Sequence, residues 1–161
     1  MRRYWTEHDW RRRDEAISYK ELTDIAFSIL YRMPQPVGMV CGPISTGGAG
    51  SIEENMRILQ AYVDILIEKG LNIFDQLPFE EPMLRILKNR NKESYDYNLL
   101  EEFHYPIFKS GLIRNLFFIP LWHTSIGTNW EYEHGQRFGM ERLYMPELEG
   151  LEYWLTQNSL I

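Results

Sequence analysis

A chain of 161 residues, 44% of them hydrophobic and 14% aromatic, carries enough apolar material for one packed core. Its formal net charge of -6 excludes the basic surface that nucleic acid or an acidic membrane would need; Arg11-Arg12-Arg13, the only basic run, lies between Asp9 and Asp14-Glu15 and reads as a solvated face. A single cysteine excludes an internal disulfide, the charged and aromatic N-terminus does not read as a leader, and no stretch approaches the ~20 apolar residues of a membrane span, so a cytoplasmic protein is expected.

In chain order, Ile17, Leu22, Ile25, Ala26, Ile29 and Leu30 recur at helical spacing and predict a helix over 15–31, ended by Pro34 and Pro36. Residues 1–36 are thus expected to be an N-terminal helical extension, and 37–161 an α/β domain. Val37 to Cys41 is an apolar run between Pro36 and Gly42, as a buried parallel strand requires. Ser51 and Glu54 stand at capping-box spacing, and Ile52, Met56, Leu59, Val63 and Leu66 form one face of a helix closed by Gly70. Leu71 to Phe74 reads as a second strand ending at Asp75. Helices are expected over 83–88 and 99–108, separated by the polar stretch 89–96. A third strand over 116–119, a helix over 131–138, a fourth strand over 143–145 and a last helix over 148–155 complete the pattern. Strands alternating with helices predict an open parallel sheet flanked by helices, a Rossmann-like α/β fold.

Ligands of such sheets gather at the carboxyl ends of the strands. Two stretches fall there: Cys41-Gly42-Pro43-Ile44-Ser45-Thr46-Gly47-Gly48 and Ser125-Ile126-Gly127-Thr128-Asn129-Trp130-Glu131. In the first, Gly42, Gly47 and Gly48 let the backbone approach a ligand, and the helix that follows points its amides the same way. It is neither a P-loop nor a dinucleotide fingerprint, and a plain strand-to-helix loop accounts for the glycines equally well. In the second, Thr128 and Glu131 also have capping-box spacing, so Glu131 could simply cap its own helix. Otherwise its carboxylate can face the crevice and attack a sugar anomeric carbon. Asp75 is a further ligand contact or a surface turn.

The pattern Cys-Gly-x-Ile-x-x-Gly-Gly after strand one, with Ser-x-Gly-x-x-x-Glu after strand three, resembles the nucleoside 2-deoxyribosyltransferase superfamily, with the greatest likeness to its deoxynucleoside 5'-monophosphate N-glycosidases. The resemblance implies that Glu131 is the nucleophile and that Ser125 and Gly127 hold a 5'-phosphate. It implies that Gly42, Ile44, Gly47 and Gly48 line the pocket for sugar and base. Gly127-Thr128 also matches the Gly-Thr of transferases acting on unphosphorylated nucleosides, so both branches stay open. The family's aspartate ahead of strand three is replaced in this neighbourhood by Ile107, Phe108 and Lys109. The resemblance further implies a small-molecule nucleoside or nucleotide as partner, no cofactor, and a homodimer or larger homo-oligomer. The other class is a non-catalytic nucleotide- or metabolite-binding module on the same fold.

No metal site is expected, because Glu131 and His134 lack two further ligands at suitable spacing. His123 is a minority candidate for proton donor. Cys41 reads as a buried small residue, and Trp122 and Trp130 as core aromatics or base-stacking platforms.

Overall fold

The computed structural model describes residues 3–90 and 95–160. In chain order they form α1 (Glu7–Glu15), α2 (Tyr19–Leu30), β1 (Val37–Cys41), α3 (Ile52–Glu68), α4 (Glu80–Asn89), α5 (Tyr97–Leu99), a π turn (Leu100–His104), α6 (Tyr105–Lys109), β2 (Ile113–Phe118), α7 (Ile126–Arg137), β3 (Glu141–Tyr144) and α8 (Leu151–Gln157). The class is mixed α/β with an open, three-stranded parallel sheet in the order β1-β2-β3. Part of the expected polar stretch, 91–94, lies outside the described residues. Among the described residues no helix is long and apolar enough to cross a membrane. Contacts divide the chain into two units: residues 1–35 with 76–112, and 36–75 with 113–161.

In the first unit, the helix expected over 15–31 is α2, and a further helix, α1, precedes it. Thr6 and Asp9 form a reciprocal capping box that starts α1, and Ser18, accepting from the Glu21 N–H, starts α2. Asp9 is almost fully buried. Burial raises its pKa, but hydrogen bonds from Thr6 and the Arg32 guanidinium outweigh that and hold it below its ordinary value. Trp5 stacks on Trp10 at 4.2 Å and meets Phe79, which meets Phe103 at 5.1 Å. Phe79 and Phe103 are wholly buried, each contributing roughly 1.5–3 kcal/mol of transfer free energy. The Tyr19 hydroxyl donates to Asp96 at 3.0 Å. Pro106 has no N–H to offer the Glu102 carbonyl four residues back; a π turn forms there, and the Thr23 hydroxyl donates to that carbonyl at 2.7 Å.

In the second unit, β1 is buried along all five residues, as the apolar run predicts. It pairs with β2 from Val37↔Ile113 to Cys41↔Phe118, and β2 pairs with β3 up to Phe118↔Tyr144. The expected second strand is reduced to one parallel bridge, Gly38↔Ile73, on the other edge of β1. Two bonds hold it, Gly38 N–H to Asn72 at 2.8 Å and Phe74 N–H to Gly38 at 2.8 Å. The chain therefore steps from β1 to the 72–74 segment on one side, then to β2 on the other. That reversal places the crevice rule for open parallel sheets at the carboxyl ends of β1 and β2. Ser51 caps α3 as its spacing predicts, but only half of the box forms. Glu54 turns instead to Arg57, at 2.6 and 2.8 Å.

Candidate functional site

The largest departure from the predicted elements decides the reading of Glu131. Helix α7 begins at Ile126, five residues before the expected start, with Ser125 as its N-cap and the Ser125 hydroxyl accepting from the Thr128 N–H at 3.4 Å. Thr128 is thus inside the helix, and the Thr128–Glu131 capping box does not form. Thr128, Glu131 and Gly135, spaced three and four apart, make the inward stripe of α7 and are the helix's buried positions. Gly135 is needed there for contact: a Cβ would stand 2.4 Å from a methyl of Leu116 on β2. That close approach carries Glu131, in the second turn, to the carboxyl end of β1.

Glu131 is 4% exposed, and its Oε2 is buried. The carboxylate is hydrogen-bonded to the Cys41 thiol; burial first, and then the Glu131 charge, push that thiol's pKa well above its ordinary value. The thiol therefore stays protonated, and its Sγ also donates toward the Met39 carbonyl at 3.9 Å. Cys41 had no visible partner in the sequence, and this contact across two loops has no local signal.

The two glycine-bearing stretches are brought together. The Ile126 N–H donates to Thr46 Oγ1 at 2.9 Å, and the Thr46 hydroxyl reaches Ser125 Oγ at 3.4 Å. The Gly48 N–H donates to Thr124 Oγ1 at 2.8 Å. Gly47 and Gly48 both have left-handed backbones, φ 67° and 68°, where only glycine rests without strain. A Cβ on Gly47 would stand 2.3 Å from the Thr124 carbonyl oxygen.

Asn55, in the first turn of α3 and 3% exposed, wires the first loop from below. Its Nδ2 donates to the Ile44 and Gly47 carbonyls, both at 3.0 Å, and its Oδ1 accepts from the Ala49 N–H at 2.8 Å. Between loop and helix lies a pocket of about 270 Å³ lined by Ile44, Ser45, Gly47, Gly48, Ile52 and Asn55. Of the expected pocket residues, Ile44, Gly47 and Gly48 line it. Gly42 instead packs in the core, where a Cβ would meet Ile119 at 2.5 Å. Asp75 is buried at the end of the edge segment beyond the Ile73 bridge. Gly127 lies in the first turn of α7, next to the Ile126–Thr46 bond.

The remaining candidates are engaged elsewhere. His134 stacks on Trp130 at 3.7 Å, with Nδ1 bonded to the Trp130 carbonyl at 2.9 Å. Among the described residues no three His, Cys, Asp or Glu side chains are grouped to hold a metal ion. His123 is exposed, its ring against Trp122. Trp122 stacks on Tyr132 at 4.8 Å within a cluster that includes Phe118 and Tyr144, and the Arg142 guanidinium covers Tyr132 at 4.4 Å. Thr46, Asn55 and Thr124 organise the site without having been singled out by motif. For Asn55 the signal was an amide at an inward position of the first turn of α3.

A buried carboxylate beside the carboxyl end of a parallel strand has the chemistry of a nucleophile or base; the pocket between the first loop and α3 is lined by neither Glu131 nor Ser125. Comparison with protein-family models, with curated proteins and with solved structures gives no match.

Proposed function

We propose that this chain cleaves or exchanges the N-glycosidic bond of a (deoxy)nucleoside or its 5'-monophosphate, on a Rossmann-like sheet, with Glu131 as the nucleophile. The supporting observation is the place of Glu131: a buried carboxylate in the second turn of α7, turned to Cys41 at the end of β1 rather than spent on capping. A Glu131 oxygen attacks C1', and the C1'–N bond breaks with its electron pair leaving on the base. The base takes a proton from water, and the resulting hydroxide attacks C1' of the glycosyl ester, freeing the sugar and restoring the carboxylate. In exchange, a second base gives its N–H proton to the departing base and closes its nitrogen on C1'. The glycine loop, held by Asn55, positions the sugar.

Incubation with the four deoxynucleosides and their 5'-monophosphates is expected to release free base. Glu131→Gln, which preserves shape and removes the charge, is expected to lower that release by at least about a thousandfold, the scale of losing a group that acts in the transition state. Release by the variant at the parent's rate would sink the role given to Glu131. The second reading, a binding module, is favoured by the near-complete cover over Glu131 and by the residues 107–109 that stand where the family carries an aspartate. It predicts ligand-dependent thermal stabilisation of the wild-type chain with no product formed.

A further inference from the structure

The geometry points to a self-pairing surface: the outer edge of β3 joins the same edge of a second copy of this chain, antiparallel, into one continuous sheet. It does not depend on the reading of Glu131. Among the described residues β3 ends the order β1-β2-β3, and no strand lies beyond it. The Met145 N–H donates back to the Phe118 carbonyl at 2.8 Å. Backbone groups alternate in direction along a strand, so Glu141, Leu143 and Met145 face β2. Arg142 and Tyr144 face away and place their N–H and carbonyl groups on the rim of the sheet.

Such a rim is a template for another strand, and a twofold pairing uses one patch on both copies. Three antiparallel registers set Arg142 or Tyr144 opposite its like or opposite the other. With Arg142 opposite Arg142, like charges meet. Tyr144 then falls opposite Met140, whose N–H is already given to the Gly135 carbonyl at 2.9 Å. With Tyr144 opposite Tyr144, Arg142 falls opposite Pro146, which has no N–H and whose carbonyl accepts from the Tyr62 hydroxyl at 2.8 Å. In the third register Arg142 of each copy lies opposite Tyr144 of the other, and every outward group of both residues is paired.

The side chains agree with that register. Arg142 and Tyr144 share the α7 face, Arg142 over Tyr132 and Tyr144 beside Phe118. Each guanidinium therefore meets an aromatic ring across the joint instead of a like charge. Leu143 falls opposite Leu143 on the twofold axis, and Glu141 opposite Met145. Tyr144 is 50% exposed, so its ring is at hand for this contact. Pro146 and the Arg142 charge guard the edge against two registers and leave one open. The partner that fits it is this strand itself.

The test reads the oligomeric state of the full chain by sedimentation velocity, with introduced cysteines to fix the register. The wild type is expected to dimerise as its concentration rises. Leu143→Lys, which opposes two charges on the axis, is expected to raise the dimer Kd by at least about tenfold. Leu143→Cys is expected to give a disulfide-linked dimer with oxidised glutathione, because opposed residues of a non-hydrogen-bonded pair have Cα atoms about 4.5 Å apart. Glu141→Cys, about 14 Å from its counterpart, is expected to stay single on a non-reducing gel. Cys41 does not compete, being buried with its thiol protonated. A wild type that stays monomeric up to about 0.5 mM overturns the inference, as does a dimer unaffected by Leu143→Lys. If Leu143→Lys fails to fold, Leu143→Cys decides alone. Cross-linking of Glu141→Cys as readily as Leu143→Cys overturns the register. A dimer that neither cysteine links is joined elsewhere and overturns the surface.

Discussion

Asn55 shows how much of the site depends on one amide. Both of its Nδ2 hydrogens and its Oδ1 are committed to the loop that follows β1, and the side chain is buried. Asn55→Ala strands two carbonyls and one N–H at once, at about 1–3 kcal/mol for each group that water cannot reach. Because the loop is half-exposed, water recovers part of this, and a total loss of about 2–3 kcal/mol is expected in urea unfolding. The variant is also expected to lose most of the substrate-dependent rise in Tm. Asn55→Asp, which keeps the acceptor and removes the donors, should fall between the two. A variant as stable as the parent and equally stabilised by substrate would show that the loop holds its shape without Asn55.

At the scale of elements, α7 is where sequence and structure part most usefully. Its start was hidden because Ile126, Gly127 and Asn129 carry little helical propensity and read as a continuation of the turn. Ser125 three residues before Thr128 was an equally valid cap, but Thr128 before Glu131 offered the fuller box, and local spacing alone cannot choose between them. Tertiary contact chooses: Thr46 takes the Ile126 N–H and Gly135 seats the helix on Leu116. Removing the cap with Ser125→Ala is expected to cost about 0.5–2 kcal/mol, read as a lowered urea midpoint at unchanged m-value. Helix α1 was missed for a different reason. Its face is nearly all charged, so apolar periodicity was silent, although Thr6-x-x-Asp9 was there to be read. By contrast β1 and α3 were legible almost to the residue, since an apolar run between Pro36 and Gly42 and a cap at Ser51 leave few alternatives.

For the whole molecule, two groups outside the site oppose each other in acid. Glu80, whose carboxyl pKa is pushed up to about 7 by burial, adds stability as pH falls from about 7 to 4.5, while His104 withdraws it. His104, in the π turn before Pro106, is buried, and burial holds its pKa down at about 4 against 6.5 when exposed. Below about pH 6.5 the unfolded chain takes up a proton that the folded chain refuses until about pH 4. This contribution is complete above pH 6.5 and is lost as pH falls through that window, at up to about 1.4 kcal/mol per pH unit. His104→Gln cannot titrate, so the stability difference between it and the parent should shrink or reverse between pH 7 and pH 4.5. A difference that stays constant with pH would mean that His104 protonates as readily folded as unfolded. Asp9, whose pKa is lowered, contributes above its unfolded value and is lost only at lower pH still.

The path of the chain has a consequence for its synthesis. β1 emerges early, yet its partner β2 follows only after residues 76–112, all of which belong to the other unit. On a growing nascent chain, β1 can meet α3 and the short 72–74 bridge, but one edge of Val37–Cys41 stays open until residues 113–118 leave the ribosome. For that interval an apolar strand with unpaired backbone is available to a neighbouring chain. The slow and hazardous step in making this protein is the return of the chain to a sheet it left half-built.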